Sequence, residues 1–217
     1  MNKVAASSDE CQRLVSNAAR MGVSLTVAQA GQMQRLLDEL GKWNQAYNLT
    51  ALNGREEWLT HHLLDSLSIA QLLVGGRIAD VGTGAGFPGL PLAILYPERT
   101  FTLLDSNGKK IRFVQHAVRT LGLTNVIPQQ ARAEALAPGV PFDTVVARAF
   151  AALPELAQAV RRLCGPQTRI LAMKGRRPDL ELAALDPHFW HVEAVQRIEV
   201  PGLDAERQVV TLRALNL

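Results

Sequence analysis

The chain is poor in cysteine, lacks long apolar runs and has little net charge. Cys11 and Cys164 are the only cysteines among 217 residues. They cannot make a disulfide framework or a cysteine-based metal cluster, and no metal site is expected. Both read as small apolar helix residues, in keeping with a reducing cytoplasm. No apolar stretch approaches the ~18 residues of a membrane-spanning helix. Residues 1–11 are polar and lack the apolar core of a secretion signal, so no membrane partner is expected. Internal repeats and low-complexity tracts are absent. With 47% apolar and 20% charged residues, the composition is that of a chain able to bury a core.

The net charge is only +3, but it is unevenly spread. Residues 1–74 carry six Lys/Arg against seven Asp/Glu, and residues 75–217 carry 17 against 13. The excess lies in patches: Lys109, Lys110 and Arg112; Arg161 and Arg162; Lys174, Arg176 and Arg177. Each is either a solvated helix face or a phosphate contact, and the sequence leaves both readings open.

Residues 1–74 read as a helical extension. Thr26 is a candidate N-cap for a helix from Val27 to Trp43, with Met33, Leu36, Leu37 and Leu40 on one stripe. Trp43 continues the stripe, and Asn48, Asn53 and Gly54 mark where the helix ends and a loop begins. A second helix is expected from Glu56 to Val74. On it, His62 and Asp65 are three residues apart, a spacing that suits a mutual hydrogen bond better than a ligand site.

From residue 75 to 217 strands and helices alternate. Strands are expected at Arg77–Val81, Thr100–Asp105, Asn125–Gln129, Asp143–Ala147 and Arg169–Met173. Helices are expected at Leu90–Tyr96, Lys109–Leu121, Leu153–Cys164 and Asp179–Leu185. This is the signature of an α/β, doubly wound, mostly parallel sheet. The runs Val192–Val200 and Arg207–Ala214, joined only by a loop, add an antiparallel edge hairpin.

The most informative stretch is Ile78 to Leu90. A buried-strand pattern ends at Asp80-Val81 and runs into Gly82-Thr83-Gly84-Ala85-Gly86-Phe87-Pro88-Gly89. The dinucleotide fingerprint needs a third glycine where Phe87 stands, and the phosphate loop needs a Gly-Lys-Ser/Thr that is missing. The Asp-x-Gly-x-Gly-x-Gly pattern is that of S-adenosylmethionine (SAM) methyltransferases. In an open α/β sheet the ligand sits beyond the strand ends. Those ends supply Asp80, Gly82, Gly84 and Gly86; Asp105 and Ser106; Ala133 and Glu134; Arg148 and Phe150; and Lys174. Asp105 suits the ribose hydroxyls, unless it only caps the following helix. Arg148 ends an apolar strand and so needs a polar partner.

The acceptor side is marked by further absences. The run Ala147-Arg148-Ala149-Phe150 is not the Asn/Asp-Pro-Pro-aromatic clamp of amino-group methylation, and no cysteine is placed to attack a pyrimidine ring. No aspartate ends the fourth strand, as ribose methylation often requires. A ring nitrogen with a free lone pair, such as guanine N7, needs none of these groups. No acid or base is therefore assigned. Arg148 suits O6 or phosphate.

The segments Lys42-Trp43-Asn44, Tyr47 to Thr50, His62 to Leu67, Asp80 to Gly89, Thr102 to Ser106, Arg148 to Leu153, Met173-Lys174-Gly175 and Val200 to Arg207 occur in this order. Together they resemble the bacterial 16S rRNA guanine-N7 methyltransferases, the family of glucose-inhibited division protein B. The likeness covers about residues 42–210. It departs at Asn107 and Ala205, neither of which lies at an assigned position. It implies a class I SAM-dependent methyltransferase fold and SAM contacts from Gly82, Phe87, Ala133, Glu134 and Arg148, with Asp105 on the ribose. It also implies a monomeric cytoplasmic enzyme that methylates one guanine N7 in the decoding region, on 16S rRNA or the 30S particle. Loss of activity in the family is linked to low-level streptomycin resistance. Lys109, Lys110, Lys174, Arg176 and Arg177 would track phosphates, and Asn44, Asn48, Arg148 and Phe150 would face the cofactor or target base. A SAM enzyme acting on a small molecule or protein, and a binding module without catalysis, are the alternatives.

Overall fold

The computed structural model describes residues 2–52 and 54–216, with side chains from residue 9 onward. Asn53, one of the expected loop markers, lies outside the described residues. The strands are Arg77–Val81 (β1), Thr100–Asp105 (β2), Val126–Gln130 (β3), Thr144–Arg148 (β4), Arg169–Lys174 (β5), Trp190–Arg197 (β6) and Gln208–Ala214 (β7). They form one seven-stranded sheet in the order β3-β2-β1-β4-β5-β7-β6. The first five are parallel. The expected hairpin forms, with β7 antiparallel to both β5 and β6. Its second strand lies inward and its first is the edge.

The helices are Asn2–Arg20 (α1), Val27–Tyr47 (α2), Arg55–Trp58 (α3), Asp65–Leu67 (α4), Gly89–Leu95 (α5), Gly108–Leu121 (α6), Leu153–Val160 (α7) and Asp179–Ala183 (α8). Successive strand residues serve opposite faces. Ile78 and Val209 enter one apolar cluster, Ala79 and Val210 the other. The first cluster runs from Leu14 of α1 through Leu36 of α2 and Leu90 of α5 to Phe113 of α6. The second gathers Leu153, Leu156 and Val160 of α7 over Val145 and Ile170.

The N-terminal helices thus cover the α5–α6 layer. Thr26 caps α2 in a capping box with Gln29. Gln29 also donates to the carbonyls of Ile94 and Leu95, at 3.1 and 3.0 Å, and Gln32 donates to that of Leu121 at 2.9 Å. These are last-turn carbonyls that lack partners inside their own helices. The contacts orient α2 antiparallel to α5 and α6, so its C-terminus reaches the side where the parallel strands end.

The helix from Val27 runs through Trp43 to Tyr47 and stops at Asn48, as expected, with a φ of 49° there. Two other helix expectations need correction. The helix expected over Glu56–Val74 is broken. A π-helical stretch, Leu59–Leu64, separates α3 from α4, and a 3-10 turn, Ala70–Leu72, follows. Side chains compete for the backbone here: Ser66 Oγ donates to the His62 carbonyl, Ser68 Oγ to that of Asp65, and Arg148 to that of His61. The helix expected to reach Cys164 ends at Val160, and Cys164 follows a 3-10 turn in extended conformation.

Candidate active site

Ligand crevices in such sheets open where neighbouring strands send their connections to opposite faces. Here that point lies between β1 and β4: α5 follows β1 onto the first cluster, and α7 follows β4 onto the second. Two hollows flank the end of β4. One, of about 140 Å³, is lined by Gly82, Asp105, Ser106, Ala133, Glu134 and Phe150, among others. The other, of about 440 Å³, is lined by Thr50, His61, His62, Asp65, Arg148, Lys174 and Arg207, among others.

The glycine corner is held by Asp80. Its Oδ2 accepts from Thr83 Oγ1 at 2.6 Å and from the Gly89 N–H at 2.8 Å. A Cβ on Gly89 would come within 2.7 Å of that oxygen. Asp80 Oδ1 is buried without a partner among the described residues. Burial pushes the carboxyl up to about 6, against the lowering by Thr83, Gly89 and Arg148. Gly82, at φ 70°, turns the chain into the crevice, and a Cβ there would lie 3.0 Å from the Phe150 ring.

Asp105 is brought to this corner from β2. Its Oδ2 accepts from the Gly84 N–H at 2.9 Å and its Oδ1 from the Asn107 N–H at 2.8 Å. The side chain that caps α6 is that of Asn107, which accepts from Lys109 N. A carboxylate has about four acceptor positions, so Asp105 keeps capacity for two ribose hydroxyls. The hollow lined by Gly82 and Phe150, the uncommitted acceptor positions of Asp105 and the orphaned oxygen of Asp80 fit SAM. Asp105 would hold the ribose, Ala133 and Glu134 would border the adenine, and the glycine turn would carry the amino-acid tail.

Arg148 and Phe150 would share a face in an extended strand. Ala149 has a φ of 52°, a left-handed conformation strained by about 1–3 kcal/mol for a residue with a Cβ. The turn parts its neighbours. Phe150 lies over Gly82, while Arg148 enters the second hollow. There Arg148 donates to Asp65 Oδ2 at 2.9 Å and to the His61 carbonyl at 2.7 Å. Arg207 donates to Asp65 Oδ1 at 2.8 Å. The polar partner that Arg148 requires is therefore Asp65, itself 3% exposed.

His62 and Asp65 do not pair, which corrects the expectation drawn from their spacing. The π stretch and the arginines turn them to different partners. The His62 ring stacks on Phe87 at 4.5 Å and 15°. Its Nε2 meets Thr50 Oγ1 at 3.0 Å, and its Nδ1 meets Arg148 at 3.4 Å. Burial, then the charge of Arg148, lowers its pKa to about 3.

Other expected site residues fall elsewhere. Phe87 is 3% exposed and lies behind the second hollow, against His62 and Arg148. Asn44 and Asn48 line a separate hollow with Trp58. Asn44 accepts from Thr50 N at 2.9 Å, and Asn48 terminates α2. Lys174 is turned to Glu181 at 2.7 Å and to the Ala151 carbonyl. Lys109, Arg176 and Arg177 are exposed. The Lys110 ammonium lies 4.0 Å from where a Gly84 Cβ would stand. Thr50, His61, Asp65 and Arg207 were not assigned to the site from sequence. Their only signal was that three of the motifs quoted above contain Thr50, Asp65 and Arg207.

Among the described residues no helix is long and apolar enough to cross a membrane, and no group of three or more His, Cys, Asp or Glu is placed to hold a metal. The family model for rRNA small subunit methyltransferase G matches residues 29–211. A relative of that name from Cronobacter sakazakii is 45% identical over 193 residues, 89% of this chain and 93% of its own length. One from Escherichia coli is 44% identical over 202 residues, 93% of this chain and 97% of its own length. TrmN from Thermus thermophilus superposes with a TM-score of 0.56 at 23% identity, covering 79% of this chain and 53% of that one. TrmK from M. capricolum, in complex with S-adenosyl-homocysteine, gives 0.54 at 15% identity, covering 69% and 67%. At these identities the solved structures speak for the fold alone.

Proposed function

The chain belongs to the rRNA small subunit methyltransferase G family, and from that premise we propose that it methylates N7 of one guanine in the decoding region of 16S rRNA. It is a SAM-dependent methyltransferase. Bound at the glycine corner, SAM supplies an electrophilic methyl group on sulfur. Asp80, Gly82, Gly84, Gly86, Asp105, Ser106, Ala133 and Glu134 hold it, and Phe87 and Arg148 back the wall toward the target.

The observation that carries the N7 reading is the state of the buried groups around the second hollow. Asp65 has each oxygen paired to an arginine, and His62 is neutral with both ring nitrogens engaged. Both are engaged within the wall itself. Cys164, whose thiol burial pushes up to about 12, lines neither hollow and is no nucleophile. Guanine N7 has a lone pair and no proton to lose, so holding the base in line with the methyl group is the main demand on the protein. Lys109, Lys110, Arg176 and Arg177 track phosphates around the opening, while Lys174 steadies the α8 side through Glu181. The substrate is 16S rRNA or the 30S particle. The enzyme acts as a cytoplasmic monomer without a metal, and residues 1–74 serve as an extension that completes the core of residues 75–217.

Transfer of tritiated methyl from SAM to 30S subunits lacking the modification tests this reading. Borohydride–aniline scission should cut at the labelled guanosine. Label on an adenine, or no label on RNA, would overturn it. RNA affinity should also fall steeply as salt rises, because phosphate contacts release counterions.

A further inference from the structure

Thr50 sits at the meeting point of three networks, and their donor and acceptor roles follow from one another. Arg148 is permanently cationic and has only donors. Its contact with His62 Nδ1 at 3.4 Å therefore makes Nδ1 an acceptor. His62 stays neutral down to about pH 3, so its one ring proton must lie on Nε2. Nε2–H then donates to Thr50 Oγ1 at 3.0 Å. The Leu52 N–H donates to the same oxygen at 3.2 Å.

A hydroxyl has two acceptor lone pairs and one donor proton. Both lone pairs of Thr50 are taken, and its proton has no acceptor among the described residues. Thr50 lines the second hollow beside Ala51, Leu52, His61 and Arg148. Its backbone is held in place by the Asn44 side chain at 2.9 Å. The hollow thus has a neutral donor whose polarity cannot reverse. On the guanine edge that carries N7, the neighbouring group is the O6 acceptor; on adenine it is the N6 amino donor. Arg148 does not take that role in this arrangement, because its contacts go to Asp65, His61 and His62.

We propose that the Thr50 hydroxyl is an obligate hydrogen-bond donor to O6 of the target guanine, and that it distinguishes guanine from adenine at the reacting position. The proposal rests on the guanine-N7 reading above. Asn44, Leu52 and His62 are positioning residues for this donor.

The test compares wild type, Thr50→Val and Thr50→Ser. The substrates are 30S subunits assembled on 16S rRNA with either guanine or 2-aminopurine, which keeps N7 but lacks O6, at the modified position. Wild type should lose about tenfold or more in kcat/KM on 2-aminopurine, the usual loss when a buried donor is left unpaired. Thr50→Val should lose a similar factor on guanine and nothing further on 2-aminopurine. Thr50→Ser should restore most of the guanine rate. SAM affinity, measured by calorimetry, should be unchanged in all three. Equal loss by Thr50→Val on both substrates would show a merely structural hydroxyl and overturn the proposal, as would no loss on either. In both cases wild-type transfer to guanine N7 would leave the functional reading standing. Absence of wild-type transfer to any guanine would remove both.

Discussion

The glycine corner and the arginine-lined hollow beside it meet at the end of β4, yet they are built in opposite ways. The corner is local. Asp80 holds Thr83 and Gly89, three and nine residues away, and β2 adds Asp105 at the Gly84 N–H and the Leu104 carbonyl at the Thr83 N–H. The hollow is assembled from a distance. Asp65 joins Arg148 and Arg207, which lie 83 and 142 residues further along the chain. Their electrostatics differ too. The corner buries a carboxylate with one oxygen unpaired, whereas the hollow buries a carboxylate with both oxygens paired to cations. A ligand site can leave a group unsatisfied for what it will bind. A wall that shapes the acceptor has to be satisfied before anything arrives.

The largest expected effect breaks the wall. Asp65→Ala leaves two arginines facing each other without their shared partner, and removal of one member of a buried ion pair is destabilising by about 3–5 kcal/mol. Urea unfolding of wild type and variant measures it. A loss under 1 kcal/mol would mean that the arginines find water or other partners, and that the hollow is less built than it looks.

At the corner, Asp105→Ala should weaken SAM binding by about tenfold to a hundredfold, the range for hydrogen bonds to a charged acceptor. Calorimetric titration measures this directly. Part of the loss will come from the freed Gly84 and Asn107 N–H groups, so Asp105→Asn should fall between the two. Unchanged affinity would restrict Asp105 to a role in the turn.

Asp80→Asn sharpens the contrast through pH. The Asp80 carboxyl holds its proton up to about 6 in the folded chain against an ordinary 3.8. The folded state therefore binds more protons between those values, and stability from this group is fullest below pH 3.8 and lost as pH rises to about 6. Asn, which carries no charge, should be more stable than Asp at pH 8 by about 3 kcal/mol, with little difference at pH 4. Denaturation midpoints at the two pH values test this. Equal effects at both would show that ionisation of Asp80 is not what burial opposes.

The smallest effect concerns His61, which lines the hollow and whose side chain the mechanism does not use. A general base contributes about 10²–10⁴ in rate. If N7 needs none, His61→Gln should change kcat by less than about threefold. A hundredfold loss would return a proton-transfer step to the mechanism.

Much of the fold was legible because its signals are short-range. The strands Arg77–Val81 and Thr100–Asp105 came out with their observed bounds, since apolar runs between turn residues mark buried parallel strands. The cap of α2 at Thr26 was legible for the same reason. The break between α3 and α4 was not, because one of the groups that compete for its backbone is Arg148 of β4, which reaches the His61 carbonyl. Spacing alone paired His62 with Asp65. Each had a stronger partner that only folding delivers: Phe87 and Thr50 for the imidazole, Arg148 and Arg207 for the carboxylate.

The sequence by itself determined the α/β alternation, the glycine corner and, through the order of its motifs, the family. Periodicity, turn chemistry and contiguous motifs are carried by neighbouring residues and survive without a folded chain. Tertiary structure alone decided that Arg148 turns into the wall, that the Asn44 side chain holds the Thr50 backbone, and that the Thr50 hydroxyl meets both His62 and the Leu52 N–H. Those facts depend on which donors and acceptors meet across the fold. A side chain's hydrogen-bonding capacity is written in its identity, but what remains of it is known only after every neighbour has taken its share.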